Sequence, residues 1–285
     1  MQVEDVLAPS DTLLDEIDAL LMRAYGSGSR RSRVERFLAV ENGGWVLLRD
    51  ADRVVGVGGY VGYPIGGFGW IGLVATDPDA ERRGFGRIVT QALADRLTAL
   101  GCWSVLDGSA KGAPLYERMG FDVHGESRLF LAPTDIGPGR GVPLGLHNST
   151  IEEIGLTRVS EYDAVAFGAD RSSLLRLLGD LFVGRSVVLC GADGRVVGYG
   201  IAQDDGIGPV VADDDTTGAL IVDSLLRLSW DAAPWLIVPP GSLFAPAAES
   251  MGFVLQRSLR RQHLGIGTLP GRRELICAQI SFGEG

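Results

Sequence analysis

The chain has 285 residues, of which 46% are apolar and 22% charged, and this composition is typical of a soluble globular protein with one large or two modest domains. Its net charge of −10 disfavours a general binder of nucleic acid and is compatible with a cationic partner such as an amine. No apolar run reaches the ~18 residues of a membrane span. The first residues lack a signal-peptide pattern, so we expect a cytoplasmic protein that does not bind membranes.

Cysteine and histidine are rare and widely spaced in this chain. The odd number of cysteines indicates free thiols in a reducing compartment rather than a disulfide framework. The histidines lack the spacing of metal ligands, so we expect no metal site. These residues are Cys102, Cys190, Cys277, His124, His147 and His263.

The first half of the chain alternates between helical and strand periodicity. Apolar residues at helical spacing predict an N-terminal helix, and two strands joined by a turn at residues 50–52 follow a second, shorter helix. The predicted elements are helices 12–25 and 33–40, strands 45–48, 54–60 and 68–75, helix 87–100, strand 103–106, helix 113–119 and, from Phe121 onward, a closing pair of strands.

A stretch rich in glycine and proline, residues 133–145, shows almost no periodicity and predicts a linker. We place the linker at residues 135–145, between a first domain of residues 1–134 and a second domain of residues 146–285. The second domain repeats the pattern of the first. Its predicted elements are helices 161–167 and 171–181, strands 187–190, 195–202 and 207–211, helix 217–230, strand 236–238 and helix 243–251.

A glycine-rich turn joins the predicted strand 68–75 to the predicted helix 87–100. Its sequence, Arg82-Arg83-Gly84-Phe85-Gly86-Arg87, aims several backbone N–H groups at one point, and the helix dipole adds positive potential there. Gly84 and Gly86 carry no Cβ, so a bulky anion can approach the main chain. The turn therefore predicts a phosphate-binding loop, to which the three arginines can add charge-assisted hydrogen bonds.

A second motif, Pro114-Leu115-Tyr116-Glu117-Arg118-Met119-Gly120-Phe121, follows the loop after a helix and a short strand. In this order the two segments resemble the two signatures of the GNAT superfamily, the acetyl-CoA-dependent N-acetyltransferases. The first resembles the pyrophosphate loop of the family. The second resembles its Tyr-(Glu)-(Arg/Lys)-x-Gly-Phe element.

The chain contains the same pattern twice. Three ordered matches with a slowly shrinking offset indicate an internal duplication. Residues 53–58 recur as 195–200, residues 74–77 recur loosely as 211–214, and residues 117–121 recur as 249–253. The chain thus resembles tandem GNAT proteins. This resemblance implies an α/β (α+β) fold of two GNAT-like domains, each with a mixed, mostly antiparallel central sheet flanked by helices.

The second copy has lost both motifs. Asp213-Asp214-Asp215 stands in the place of the arginines and glycines of the loop, and Ala248 stands in the place of Tyr116. Three carboxylates repel an anion, unless they only cap the start of a helix. On either interpretation we expect no CoA there, as in the degenerate second domain of some tandem GNAT proteins.

The resemblance also implies roles for individual residues. The strand before the loop would offer N–H groups to the acetyl carbonyl and the pantetheine, and Tyr116 would protonate the CoA thiolate. Ser109 stands where many members carry Asn, although a turn serine is an alternative. Glu81 replaces the usual Gln or Arg, and we expect it to point away from the diphosphate. The implied acetyl-CoA-binding residues are Leu73, Val74, Ala75, Arg82, Arg83, Gly84, Phe85, Gly86, Arg87 and Ser109.

The general base is left open by the sequence, with Glu41, Asp107, Glu117 or a water chain as candidates. In the second domain, Asp163 and Asp170 are candidates to bind a cationic substrate, with capping of the helix at residue 171 as the alternative for Asp170.

The function implied by the resemblance is transfer of an acetyl group from acetyl-CoA to a primary amine of a small molecule by direct attack. Acetylation of a protein lysine or N-terminus is an alternative. A CoA-binding sensor or scaffold without turnover is another. We expect acetyl-CoA as co-substrate, no metal, and a monomer or homodimer.

Overall fold

A computed structural model describes residues 1–26, 28–80, 82–265 and 267–285 of the chain. Its contacts divide the chain into two units. The first unit contains Met1–His124, Arg260–Gly267 and Glu284, and the second contains Gly125–Leu259, Thr268–Gly283 and Gly285. This division differs from the expected boundaries at residues 134 and 146.

The first unit begins with a strand and two helices, as the periodicity predicts for the helices. Ser10 accepts a hydrogen bond from the Leu13 N–H at 3.3 Å and starts the first helix, and Gly26 ends it with a φ of 63°. The elements up to the end of this repeat are β1 (Gln2–Val6), α1 (Asp11–Tyr25), α2 (Arg31–Ala39), β2 (Gly43–Asp50), β3 (Arg53–Tyr63), β4 (Phe68–Thr76), α3 (Phe85–Ala99), β5 (Trp103–Gly108), α4 (Ala113–Arg118) and β6 (Asp122–Leu131).

The sheet of the first unit is mixed and mostly antiparallel, which confirms the expected fold class. Strands β1, β2, β3 and β4 pair antiparallel in that order, and β4 pairs parallel with β5. Residues 260–264, from the far end of the chain, pair antiparallel with the other edge of β5.

Both faces of this sheet are covered by helices. On one face, α3 and α4 bury an apolar cluster that includes Leu93, Leu106 and Tyr116. On the other face, α1 and α2 pack against β2, β3 and β4, where the Phe37 and Trp45 rings meet at 5.7 Å. Because strand residues alternate between faces, this sheet is apolar on both.

The second unit repeats this architecture. Its sheet runs β7, β8, β9 and β10 with antiparallel pairing, then β11 parallel to β10, then residues 128–131 of β6 antiparallel to β11. The elements that follow β6 along the chain are β7 (Leu146–Ser149), α5 (Ile151–Ile154), α6 (Leu156–Phe167), α7 (Ser172–Leu181), β8 (Ser186–Gly191), β9 (Val196–Ala202), β10 (Gly206–Ala212), α8 (Asp215–Leu226), β11 (Trp235–Val238), α9 (Ala245–Ser250), β12 (Val254–Leu264) and β13 (Ile276–Ala278).

The two repeats have exchanged their last strands. We expected a closing pair of strands from Phe121 onward, and this detail is wrong. One strand, β6, follows Phe121, and its residues 128–131 pair with β11 of the second unit. Residues 260–264 of β12 take the equivalent place beside β5. Each sheet therefore obtains its sixth strand from the other repeat.

A buried ion pair forms the polar centre of the second unit. The Arg171 guanidinium binds both Asp163 carboxylate oxygens, at 2.7 and 2.8 Å, and the Tyr199 hydroxyl donates to the same carboxylate at 2.5 Å. Asp163 and Tyr199 have no exposed surface. The Asp163 carboxylate is thus paired with a cation of the protein itself, Arg171, instead of being available to a cationic substrate. Asp170 accepts a hydrogen bond from the Ser172 N–H at 2.8 Å, which fits the capping alternative.

We expect Asp163→Ala to destabilise the protein by about 3–5 kcal/mol, because it leaves the buried Arg171 guanidinium without its carboxylate. Unfolding in urea, followed by circular dichroism, measures this loss. Asp170→Ala is the matched control, since Asp170 is exposed and its loss should have a much smaller effect. Equal losses in the two variants would show that the buried pair is not a main support of this unit.

Candidate functional site

A wedge opens between the two parallel strands of the first unit. Their pairing ends at Ile71 and Leu106, although β4 continues to Thr76 and β5 to Gly108. The described residues place no further strand between them. Main-chain groups on the facing edges of the two strands are therefore accessible to a ligand that carries hydrogen-bonding groups.

A β-bulge directs β4 away from β5 at this point. The register against β3 shifts between the pairs Gly59–Gly72 and Val57–Ala75, and Leu73 has a φ of 52°, which is strained for a residue with a Cβ. The wedge is thus bordered by residues 73–75, the three that the family resemblance implies.

Tyr25, which the sequence analysis did not single out, lies at this bulge. As the last residue of α1, it reaches across to β4, and its hydroxyl donates to the Val74 carbonyl at 3.0 Å. The Arg30 guanidinium covers its ring at 4.7 Å. No sequence signal marks Tyr25, because its only relation to Val74 is in space.

The glycine-rich turn lies at the end of β4 and begins α3. Gly84 is the N-cap residue with a φ of 82°, and Arg82 also adopts a positive φ, of 64°. Phe85 and Gly86 stand in the first turn of α3, where the N–H groups have no intrahelical acceptor. A helix start at this position is what the predicted phosphate loop requires, and phosphate binding there stays a prediction.

The side chains around the loop have different environments. Arg83 binds the Asp50 carboxylate at 2.8 Å and stacks on the Phe85 ring at 4.7 Å, so part of its charge is neutralised. Arg82 and Arg87 are exposed and form no ion pair among the described residues. Glu81, which we expected to point outward, lies outside the described residues.

Gly86 also has a packing role that the sequence did not reveal. A Cβ at this position would lie 3.1 Å from Cδ2 of Leu115 on α4, so the glycine brings the two helices together. Because Tyr116 is the neighbour of Leu115, this contact links the predicted phosphate-binding loop (residues 82–87, called the anion loop below) to the helix that carries the expected general acid.

Asp77 anchors the loop to the sheet. Its carboxylate is fully buried, binds the Arg53 guanidinium, and accepts a hydrogen bond from the Asp79 N–H at 3.0 Å. Arg23 approaches the same carboxylate at 3.5 Å. These contacts fix the chain between β4 and the anion loop, so the loop geometry depends on residues from three separate elements.

Tyr116 is a buried residue of α4, and its ring lies beside the end of β5. A Cβ at Gly112 would lie 3.1 Å from Cε2 of the ring and 3.5 Å from its hydroxyl, and a Cβ at Gly108 would lie 3.1 Å from Cδ2. The two glycines therefore make room for the phenol. Burial raises the pKa of Tyr116 above its usual value, and the nearby Tyr25 adds to this, so the phenol is protonated at neutral pH.

Ser109 and Gln262 shape the start of α4. The Ser109 hydroxyl accepts a hydrogen bond from the Gly112 N–H at 3.2 Å, as a turn serine does. Gln262 comes from β12, is fully buried, and donates from Nε2 to the Ala113 carbonyl at 3.3 Å. Its Oε1 lies 2.4 Å from the position of a Cβ at Gly108. The far end of the chain thus supplies a side chain beneath the Tyr116 helix.

Of the candidate general bases, two have arginine partners. Arg261 binds both oxygens of Asp107, at 2.8 and 3.1 Å, and both side chains are buried. Glu117 binds Arg260 at 2.7 Å on the surface. Both carboxylate oxygens of Asp107 are thus occupied by a buried guanidinium and are not presented to a substrate. Glu41 is exposed.

The equivalent positions of the second copy have different properties. Asp214 is the N-cap of α8 and accepts from the Thr217 N–H at 2.7 Å, while Asp213 binds Arg195 at 2.9 Å. Ala248 is fully buried where the first copy carries Tyr116. The acidic loop caps a helix, as the alternative interpretation proposed, and presents carboxylates instead of arginines.

Other expectations concern metals, thiols and membranes. Cys102, Cys190 and Cys277 are buried free thiols. Among the described residues, no cluster of His, Cys, Asp and Glu has the arrangement of a metal site. Within the same residues, no helix combines the length and apolar character needed to cross a membrane.

Family models match both halves of the chain. Residues 14–121 match the model of the acetyltransferase (GNAT) family, and residues 159–273 match that of an acetyltransferase (GNAT) domain. The two matches coincide with the two repeats. No curated protein matches the chain.

Solved structures share the fold over nearly the whole chain. A protein from Pyrococcus horikoshii has a TM-score of 0.78 at 23% identity, and the alignment covers 99% of this chain and 96% of that protein. A tandem GNAT protein from the clavulanic acid biosynthesis pathway has a TM-score of 0.67 at 16% identity, covering 94% and 99%. A GCN5-related N-acetyltransferase from Sphaerobacter thermophilus has a TM-score of 0.67 at 14% identity, covering 94% and 96%. At these identities the likeness concerns the fold.

We expect Gly84→Asp to raise the Kd for acetyl-CoA at least 10-fold, which corresponds to a loss of about 1.4 kcal/mol of binding free energy. The change adds a Cβ at a φ of 82° and a negative charge beside the anion loop. Titration calorimetry measures the affinity. Gly101→Asp is the matched control, because Gly101 has a φ of 76° and open space around it but lies at the other end of α3. Unchanged affinity in Gly84→Asp would mean that this loop does not hold the diphosphate.

Proposed function

The chain belongs to the GNAT family of N-acetyltransferases, and we propose that it transfers the acetyl group of acetyl-CoA to a primary amine of a small molecule. The observation that carries this proposal is the convergence of three features in the first unit: the anion loop, the wedge between β4 and β5, and Tyr116. Each suits one part of the reaction. The second copy lacks the arginine and glycine loop and the tyrosine, so we place the reaction in the first copy alone.

Binding of acetyl-CoA is assigned to the loop and the wedge. The N–H groups at the start of α3, together with Arg82 and Arg87, suit the diphosphate. The edge of residues 73–75 suits the amide groups of the pantetheine and the carbonyl of the thioester. An N–H group aimed at that carbonyl stabilises the developing oxyanion, an effect often worth ~2.7–4 kcal/mol.

The reaction is a direct attack. The amine nitrogen forms a bond to the carbonyl carbon, the C–S bond breaks, and the thiolate of CoA leaves. Tyr116 gives its proton to the sulfur, and the proton lost by the amine restores the phenol, so charges and protons balance. Burial disfavours the phenolate, but it disfavours the leaving thiolate in the same place as well. Transfer of the proton therefore depends on the difference in pKa between the Tyr116 phenol and the CoA thiol.

The acceptor is proposed to be small and cationic before it loses its proton. The net charge of −10 favours the approach of a protonated amine. A Lys-like amine has a pKa of ~10.4, so removing its proton at pH 7 costs about 4–5 kcal/mol, whereas an α-amine of pKa ~7.7–8.0 needs little help. Since Asp107 and Glu117 are paired with arginines, we favour a water chain, or an acceptor with a low pKa.

Turnover of acetyl-CoA with a panel of acceptors tests this function. Release of thiol is followed with small primary amines, with a lysine peptide and with a peptide that carries a free N-terminus. Turnover of the small amines supports the proposal, and turnover of the peptides alone favours a protein acetyltransferase. Tight binding of acetyl-CoA with no turnover of any acceptor would instead indicate a sensor.

We expect Tyr116→Phe to lower kcat by roughly 10²-fold or more and to change the affinity for acetyl-CoA little, because the ring and its packing survive. Pre-steady-state kinetics with a good acceptor measure the chemical step. Since burial raises the pKa of this phenol above its usual value near 10, its ionisation should affect the rate only at strongly alkaline pH.

Two controls accompany this variant. Tyr25→Phe removes a neighbouring phenol hydroxyl that is bound to the Val74 carbonyl, and we expect a loss of less than 10-fold. Ala248→Tyr should restore nothing in the Tyr116→Phe background, because the second copy has no arginine and glycine loop. A normal chemical rate in Tyr116→Phe would leave Tyr116 as a wall of the site only.

A further inference from the structure

The wedge of the first unit has a counterpart in the second. The parallel pairing of β10 and β11 ends at Ile207 and Leu236, while β10 continues to Ala212 and β11 to Val238. In the first unit the pairing of β4 with β5 ends at the equivalent point. Beyond it, β4 and β5 continue for as many residues as β10 and β11 do. Both copies therefore form the gap in which GNAT proteins are expected to bind their co-substrate.

In the second unit this gap is filled by the chain itself. β13 pairs antiparallel with β10, with Ala278 opposite Val210 and Ile276 opposite Val211. On its other side, the Gln279 N–H donates to the Ile237 carbonyl of β11 at 2.9 Å. The segment Ile276–Gln279 thus forms main-chain hydrogen bonds with both diverging strands.

The residues that line the groove lie close to the segment Ile276–Gln279. A Cβ at Gly218 of α8 would lie 2.5 Å from Sγ of Cys277, and a Cβ at Gly208 would lie 2.2 Å from the Gln279 carbonyl oxygen. Gln203 donates from Nε2 to the Ile280 carbonyl at 2.9 Å. Residues 276–280 are all buried, so the groove is complementary to this occupant along its length.

We propose that the groove of the second copy is a binding site for an extended, uncharged main chain, and that Ile276–Gln279 is its resident ligand. The segment binds by strand addition, in which main-chain hydrogen bonds supply the affinity. Asp213, Asp214 and Asp215 at the mouth of the groove suit this ligand, because an amide backbone lacks the diphosphate that they would repel. The proposal does not depend on what the first copy binds.

Hydrogen exchange on the full-length protein tests the docking, with and without acetyl-CoA. We expect the amides of residues 206–208, 210–212 and 276–279 to exchange slowly without acetyl-CoA and to be unaffected by it. Fast exchange of residues 276–279 in its absence, or a change of rate in either segment on its addition, would overturn the proposal. Slowing of residues 73–75 by acetyl-CoA is a separate readout, and its absence would count against the proposed function only.

A pair of substitutions tests the fit of the segment in its groove. We expect Gly218→Ala to accelerate exchange of residues 276–279 at least 10-fold, because its Cβ would lie 2.5 Å from Sγ of Cys277 and 3.1 Å from Cε2 of Phe244. The double variant with Cys277→Ala removes the closer of these contacts and should reverse most of the acceleration. Gly179→Ala in α7 is the matched control, since a Cβ there meets no atom within 4 Å. No acceleration in Gly218→Ala overturns the proposal. If that variant unfolds the whole second unit, the exchange of the unmodified protein decides: slow exchange of residues 276–279 supports the docking, and fast exchange overturns it.

Discussion

The divergence of two parallel strands is the constraint on which the rest of this structure depends. Strands that part inside a sheet expose main-chain groups that need partners, and each copy of the fold meets this need differently. In the first copy the gap between β4 and β5 is bordered by a bulge at Leu73, by the helix start at Gly84 and by the buried phenol of Tyr116, and the proposed acetyl-CoA site rests on these three features. In the second copy β13 fills the gap with peptide groups. One architecture thus yields an open wedge in one copy and a packed interior in the other.

The exchange of the last strands adds a second constraint. Residues 260–264 complete the sheet of the first unit and bring Gln262 beneath the helix of Tyr116 and Arg261 to Asp107. The second half of the chain therefore contributes to the first unit through side chains, although its own copy lacks the arginine and glycine loop. This gives a physical reason for the chain to keep a degenerate repeat: the first sheet lacks its sixth strand without it.

Sequence reasoning identified the features that depend on neighbours along the chain. Gly84 and the arginines form a recognisable turn because strand, loop and helix start follow each other directly, and the loss of Tyr116 in the second copy is visible as Ala248. Contacts made in space were missed. Tyr25, in α1, donates a hydrogen bond to the Val74 carbonyl of β4. Asp77 contacts arginines from two other elements, and Gln262, near the far end of the chain, contacts the helix of Tyr116. Nothing in the residues around these three positions marks them, since each obtains its role from a distant partner.

By itself, the sequence determined the repeated pattern of helices and strands, and it showed that the first copy alone carries the arginine and glycine turn and Tyr116. These properties follow from local periodicity, glycine placement and charge, which act over a few residues, whereas the mostly antiparallel sheets were implied by the resemblance of the two motifs to those of the GNAT family. Only the tertiary structure decided which strand closes which sheet and what fills each wedge. The last strands of the two repeats are equivalent, so either can pair with either edge, and a strand pattern contains no information about its partner. The choice between open and filled wedges depends on contacts between residues far apart in sequence.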